Sequence, residues 1–325
     1  MNRLRWPLLL ATVIGLAAAL WATGRQGWAD VLGGAGRTGL GGFISLCLLS
    51  AATLLPLGGS WLAGARGVGI GRLGSFAWGR ATREAANDLL PFSQIGGVVV
   101  GIRTAVAAGV PAVPVYAATI LDMTTEMVAQ FVFTACALWA FGPASASAAL
   151  QPMLLAGLAV TSGLAVGFFL FQRPALRLAG KLIGRVLPDA GDLSARVLDE
   201  LAAIYAKRWR VAASFLLNLL AWVATAVWSW FALRLMESPA PLWHVAALES
   251  AIFALRSAAF IVPGALGVQE AGYALLAPVM GIDPAAALAL SLVKRARDLT
   301  LGIPTLLIWQ WREARAPRAG AGSPG

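Results

Sequence analysis

The chain has 325 residues, of which 59% are hydrophobic and 12% are charged, and its mean hydropathy is +0.76. So little polar surface cannot cover a soluble globule of this size, and the composition predicts an integral membrane protein. The net charge of +10 does not indicate nucleic acid binding, because Lys and Arg cluster at the edges of apolar runs, where cytoplasmic loops and anionic lipid head groups account for them.

Six apolar runs approach the ~20 residues that a helix needs to cross a bilayer. They cover about residues 6–23, 39–63, 112–141, 152–171, 210–236 and 285–311. Two further segments, 73–108 and 243–280, are apolar overall but interrupted by Pro and Gly, and we interpret both as re-entrant helical hairpins. The sequence therefore predicts an all-α integral membrane protein with about six full spans and two re-entrant hairpins.

The two interruptions lie at corresponding positions of two halves. They read Leu89-Leu-Pro-Phe-Ser-Gln-Ile-Gly-Gly97 and Pro263-Gly-Ala-Leu-Gly-Val-Gln-Glu-Ala271. A shift of 172 residues pairs Pro91 with Pro263, Gly109 with Gly281, Asp122 with Lys294, Glu126 with Asp298, and Trp139 with Trp311. Paired, interrupted apolar segments are typical of transporters whose substrate site lies near the bilayer midplane.

Basic residues determine the predicted orientation. Eight Lys and Arg lie at helical spacing among apolar residues between Gln172 and Arg210, which indicates a cytoplasmic amphipathic connector. Counting spans outwards from it places both termini in the cytoplasm, together with Arg66, Arg72, Arg80 and Arg83. The spans 112–141 and 285–311 then cross in opposite directions, so the repeat is inverted.

We therefore expect one polytopic transmembrane domain over residues 1–313 in a bacterial cytoplasmic (inner) membrane. Its repeat halves cover about 1–171 and 210–313, the connector covers 172–209, and the Gly- and Pro-rich residues 314–325 form a disordered cytoplasmic tail.

Charged and amide side chains flank both interruptions. A charge at membrane depth costs ~2.5–3.5 kcal/mol on insertion scales, so several of them predict a watery, substrate-binding cavity. Asp122 and Glu126 share one helix face at i,i+4, as do Lys294 and Asp298. A purely structural ion-pair network would show the same spacing, and that alternative stays open.

Three roles are expected at this site. The residues expected to bind or screen an anionic head group are Arg83, Arg103, Arg256, Lys294 and Arg297. Carboxylates that orient these cations or relay protons are Glu84, Asp122, Glu126, Glu270 and Asp298. Neutral hydrogen bonds come from Asn87, Gln94 and Gln269.

Backbone breaks provide an independent argument for anion binding. A helix that restarts near Gly96 or Gly267 would direct free N–H groups at a ligand in the break. The expected hinge positions are Pro91, Gly96, Gly97, Pro263, Gly264 and Gly267. The alternative is that Pro and Gly only kink packed helices.

These motifs resemble a known family. The residues Arg83-Glu-x-x-Asn-x-Leu-Leu-Pro91, Gln94-Ile-Gly-Gly97, Arg103, Pro263-Gly-Ala-Leu-Gly-Val-Gln-Glu-Ala271 and Lys294-Arg-x-Arg-Asp298 are similar to the flippase-like membrane region of lysylphosphatidylglycerol synthases. The chain resembles a stand-alone member without the synthase domain. Its length and its Leu-Pro-Phe-Ser-Gln-Ile-Gly-Gly motif are also similar to those of a hopanoid-associated bacterial subgroup. The resemblance implies lipid transfer between leaflets at a site formed by the two interruptions. Many relatives have an acidic residue after Gly-Gly, where this chain has Val98.

The predicted function is translocation of a lipid with a polar or anionic head group, without a cofactor or metal. Two alternatives stay open. One is an intramembrane lipid-modifying transferase with Asp122, Glu126 or Glu270 as general base, although the sequence contains no legible nucleophile set or metal site. The other is a non-catalytic scaffold that binds enzymes of a lipid or hopanoid biosynthesis complex.

Overall fold

The structure, a computed structural model, describes residues 24, 27–90, 93–141, 188–258 and 265–315, with residues 159, 163, 166, 167, 170, 171 and 174 between them. Within these residues all regular secondary structure is helical, which confirms the predicted all-α class. The expected span 6–23, most of the expected span 152–171, the tail after Arg315, and Pro91, Pro263 and Gly264 lie outside the described residues.

The first half of the described chain forms five α-helices. They are α1 (Trp28–Arg37), α2 (Gly39–Gly64), α3 (Leu73–Leu89), α4 (Ser93–Ala107) and α5 (Ala112–Phe141), with a 3₁₀ turn at Ile70–Arg72. Helices α3 and α4 pack against each other as an antiparallel pair, called hairpin 1 here. The chain thus forms two helices around the first predicted interruption.

The second half follows the same order. Its helices are α6 (Pro188–Tyr205), α7 (Arg208–Leu235), α8 (Leu242–Ala258), α9 (Val268–Leu276) and α10 (Pro284–Arg315), with a 3₁₀ turn at Pro278–Met280. Helices α8 and α9 pack together as hairpin 2. Helix α6 lies within the predicted connector, and its apolar face packs on α5.

Long helices coincide with four of the apolar runs identified in the sequence. Helices α2, α5, α7 and α10 correspond to the expected runs 39–63, 112–141, 210–236 and 285–311. By length, hydropathy and low charge together, α2 and α7 qualify as candidate membrane spans among the described residues. Helices α5 and α10 contain the charged pairs discussed below.

Backbone geometry recurs at the 172-residue shift noted in the sequence. Helices α5 and α10 begin 172 residues apart. Gly109 and Gly281 precede them with φ of +84° and +67°, a region that favours glycine. In both places the amide two residues before the helix donates to a carbonyl five residues back, from Val110 to Ala105 and from Ile282 to Ala277.

The two halves interlock through long helices. Helices α2 and α7 run antiparallel, since Arg210 near the start of α7 donates to the Ala63 carbonyl at the end of α2 (2.8 Å), while Trp228 donates to the Leu46 carbonyl (2.8 Å). Hairpin 1 packs against α10 of the second half, and hairpin 2 packs against α5 of the first half.

The hairpins approach each other from opposite ends of α10. Arg103, near the end of hairpin 1, pairs with Glu313 at the C-terminal end of α10, whereas Leu89 at the tip of α3 contacts Gly302 near the middle of α10. His244, at the start of hairpin 2, lies 2.7 Å from the Met280 carbonyl oxygen just before α10 begins. Both hairpins therefore extend from an end of the helix bundle towards its centre.

The structure corrects the expected role of two glycines. Helix α4 begins at Ser93, so Gly96 and Gly97 lie inside a helix and are not hinges. A Cβ on Gly97 would lie 2.7 Å from the Arg83 carbonyl oxygen and closer still to the Asn87 amide, whereas a Cβ on Gly96 would meet nothing within 4 Å. Gly97 thus permits the close approach of α3 and α4.

We predict that Gly97→Ala destabilises the protein and that Gly96→Ala does not. The added methyl at position 97 collides with backbone, and overpacking of this kind costs about 1–3 kcal/mol. The same change at the open position 96 should be neutral or stabilise the helix by about 0.5–1 kcal/mol. Thermal unfolding of the two purified variants in detergent measures the difference, and equal midpoints would contradict this packing.

Candidate functional site

A cavity of about 580 Å³ lies where the two hairpins approach each other. Side chains from α2, α3, α5, α7, α8, α9 and α10 line it. The lining combines charged side chains with apolar ones, among them Leu54, Leu57, Met123, Met127, Trp222 and Phe253. Both halves of the chain thus contribute to one amphipathic chamber.

Two arginines and two carboxylates form the cluster between α3 and α5. Arg80 donates to Asp122 (2.8 Å) and Glu126 (2.5 Å), and Arg83 donates to the same two carboxylates (both 3.0 Å). The i,i+3 spacing of the arginines and the i,i+4 spacing of the acids place each pair on one helix face. Guanidinium and carboxylate groups match in such forked geometry, so this α3–α5 cluster joins the two helices rigidly.

Asp122 is the most deeply buried member of the α3–α5 cluster. Its side chain is fully buried, and it accepts further hydrogen bonds from Ser60 and from the Asn218 amide (3.1 Å). A carboxylate in this position is stabilised only if its partners compensate the lost hydration. Asp122 therefore lies behind the cavity wall and fixes Arg80 and Arg83, which do line the cavity.

A second buried pair joins α8 to α10. Lys294 donates to Glu249, which also accepts a hydrogen bond from the Tyr273 hydroxyl (2.7 Å). The Lys294 ammonium also lies 5.8 Å from the Trp228 ring centroid and 5.6 Å from that of Tyr273. The lysine thus has a carboxylate and two aromatic faces around it.

A third group of charges lies at the tips of the hairpins. Arg256 of α8 donates to Asp88 of α3 (3.0 Å), and Arg297 of α10 pairs with Asp298 (2.5 Å) and lies over the Trp228 ring at 4.7 Å. The four charges are close enough to interact electrostatically. We call Asp88, Arg256, Arg297 and Asp298 the central cluster.

Cations and carboxylates balance in the described lining of the cavity. The cations are Arg80, Arg83, Arg256, Lys294 and Arg297, and the carboxylates are Glu84, Asp88, Glu126, Glu249 and Asp298. Each of these five cations has a carboxylate partner. The structure therefore differs from the expectation of cations available to a phosphate, because burial in low dielectric makes an unpaired charge costly.

Most of the predicted site residues line this cavity. They are Arg83, Glu84, Asn87, Glu126, Arg256, Gln269, Lys294, Arg297 and Asp298. The side chain of Gln94 lies outside the described part of the chain. Arg103 is 60% exposed and pairs with Glu313 on the periphery, so it does not join the others.

Glu270 and Gly267 have a local structural role instead of the expected one. Gly267 has φ +77° and immediately precedes α9. Its amide, expected to be free for an anion, instead donates to Glu270 (2.8 Å), which also pairs with Arg295 and accepts from Ser291. Glu270 thus caps α9 and lies outside the cavity lining.

Sequence reasoning missed three charged residues of the site. The expected topology places Arg80 on the cytoplasmic side without a role in the site, but this residue lies in the middle of α3 and is 2% exposed. Its i,i+3 spacing to Arg83 was a legible signal for a shared face. Asp88 and Glu249 are among the charged residues around the two interruptions, but the sequence does not link them to their distant partners Arg256 and Lys294.

A comparison with known families gives a match over nearly the whole chain. Residues 8–307 match the family described as the lysylphosphatidylglycerol synthase TM region. This chain belongs to that family. No curated protein and no solved structure matches it. The predicted resemblance is confirmed, and membership places the chain among membrane proteins with a lipid-related role.

Removal of Asp122 tests whether the α3–α5 cluster holds the site together. We expect Asp122→Ala to lower the free energy of unfolding by about 3–5 kcal/mol, because it leaves two buried arginines with incomplete partners. The control Glu313→Ala breaks a peripheral pair and should cost less than about 1 kcal/mol. Unfolding of both variants in the same detergent measures the difference, and similar losses would rule out a special role for the cluster.

Proposed function

We propose that this protein moves a lipid between the two leaflets of the bacterial cytoplasmic membrane. The observation that carries the proposal is the charged, partly apolar cavity formed where two hairpins from opposite ends of the bundle meet. Family membership supports a lipid as the substrate. A polar head group would occupy the charged part of the cavity while the acyl chains stay against apolar side chains.

The helix order suggests how the cavity could open to each side. Helices α3, α4 and α5 have counterparts in α8, α9 and α10 at the 172-residue shift, and α5 and α10 run in opposite directions. We propose that the two halves form an inverted repeat of one polytopic domain with about six spans. Rocking of one repeat against the other around a central site is the usual mechanism of such transporters.

The two alternative functions have less support. A transferase would need a general base within reach of its substrate, yet each carboxylate that lines the described cavity is already engaged in an ion pair with a cation. A scaffold for lipid-biosynthesis enzymes would not require a charged chamber between the hairpins. Transport uses that chamber, so we favour it.

Blocking the cavity should stop transfer. We predict that Met127→Trp, which adds a large ring to the lining, reduces leaflet exchange of labelled phospholipids by tenfold or more in reconstituted vesicles. The neighbouring Val128 is 41% exposed and does not line the cavity, so Val128→Trp is the matched control and should exchange lipid normally. Equal exchange by both variants, or chemically altered lipid in the mass spectrum, would refute the proposal.

Accessibility of single cysteines tests the proposed orientation, in which both termini and the connector are cytoplasmic. After replacement of Cys47 and Cys136, we expect Ile70→Cys to react with an impermeant thiol reagent only from the cytoplasmic side. Pro239→Cys, after α7, should react only from the opposite side. Labelling of the two positions from the reverse sides would contradict the proposed orientation.

A further inference from the structure

We infer that the transported lipid has a zwitterionic head group, and that it binds by exchanging partners with the Asp88–Arg256 ion pair. The phosphate would take the place of Asp88 on Arg256, and the ammonium would take the place of Arg256 on Asp88. This inference rests on the proposed lipid transfer and specifies its substrate class.

The Asp88–Arg256 pair is the one most suited to exchange among the cavity pairs that the structure describes. It has a single contact of 3.0 Å, and the Arg256 and Asp88 side chains are 29% and 21% exposed, whereas those of Arg297 and Asp298 are 21% and 7% exposed. Arg80 and Asp122 are 2% and 0% exposed and share a four-bond lattice, and Lys294 and Glu249 are 9% and 6% exposed. A ligand that enters the cavity therefore reaches this pair with the least loss of buried bonding.

The same pair connects the tips of the two hairpins. Asp88 lies one residue before the end of α3 in hairpin 1, and Arg256 lies in the last turn of α8 in hairpin 2. Helices α3 and α8 share no extended packing along their described lengths. A head group inserted between the two side chains would thus loosen the connection between the hairpins, which couples substrate binding to their separation.

The cost of leaving a buried charge without a partner selects the class of head group. The cavity lining has five cations and five carboxylates, and Asp122 behind it adds another carboxylate. An anion that displaces Asp88 leaves that carboxylate without a partner, and a cation that displaces Arg256 leaves the guanidinium without one. A zwitterion compensates both, and its phosphate suits the forked donors of an arginine.

Transport of matched lipids tests the inference directly. The wild-type protein is reconstituted into vesicles with phosphatidylethanolamine, phosphatidylglycerol or a neutral glycosyl diacylglycerol, all with the same fluorescent acyl chain. We expect exchange of phosphatidylethanolamine to be at least tenfold faster than exchange of the other two. Faster or equal exchange of either competitor would overturn the inference, while exchange of none of the three would instead refute the proposed function.

A change in specificity separates exchange from a structural role of the pair. Asp88→Asn leaves Arg256 without a carboxylate, so the ratio of phosphatidylglycerol to phosphatidylethanolamine exchange should rise at least tenfold. Glu200→Gln removes a carboxylate from the Arg66–Glu200 pair outside the cavity and should leave the ratio unchanged. An unchanged ratio in Asp88→Asn would overturn the inference.

A double variant with the two charges swapped tests the inference if Asp88→Asn does not fold. The double variant Asp88→Arg, Arg256→Asp retains one cation and one carboxylate at the hairpin tips, so it should still prefer phosphatidylethanolamine. Loss of that preference in a folded, monodisperse double variant would contradict the partner exchange.

Discussion

The structure depends on the pairing of charge inside an apolar protein. Asp122 is fully buried and receives donors from two arginines, a serine and an asparagine, which compensate the hydration that its carboxylate has lost. These donors come from three different helices, α2, α3 and α7, which meet α5 at this point. One buried carboxylate thus determines the relative positions of hairpin 1 and three long helices.

The same constraint shapes the cavity. Charges that line a chamber in a membrane protein must be neutralised nearby, and the central cluster does this with residues from α3, α8 and α10. Since the two halves supply opposite charges to the Asp88–Arg256 pair, the chamber is complete only when the hairpins meet. The charged cavity and the contact between the halves are therefore one feature of this molecule.

Helix positions could largely be predicted from the sequence, but the charge partners could not. The runs 39–63, 112–141, 210–236 and 285–311 are apolar and long enough that their periodicity and length identified α2, α5, α7 and α10. Which charges pair depends on how helices that are distant in the sequence pack together. The sequence alone therefore could not predict the contact of Asp88 with Arg256 or that of Glu249 with Lys294. The role of each glycine was equally hard to predict: Gly267 has a positive φ just before α9, while Gly97 lies inside α4 at a close helix contact.

The distinction between a structural ion-pair network and a substrate site does not divide this molecule into two regions. The ion pairs differ instead in how deeply they are buried. The α3–α5 cluster is buried and joined by several hydrogen bonds, whereas the Asp88–Arg256 pair has a single contact and is partly exposed. A rigid cluster stabilises the framework, because any rearrangement would leave several buried charges unpaired. In the exchange that we propose, the single Asp88–Arg256 pair opens because a ligand offers equivalent charges. The stability of the framework and the proposed ligand exchange then depend on the same kind of interaction, buried to different degrees.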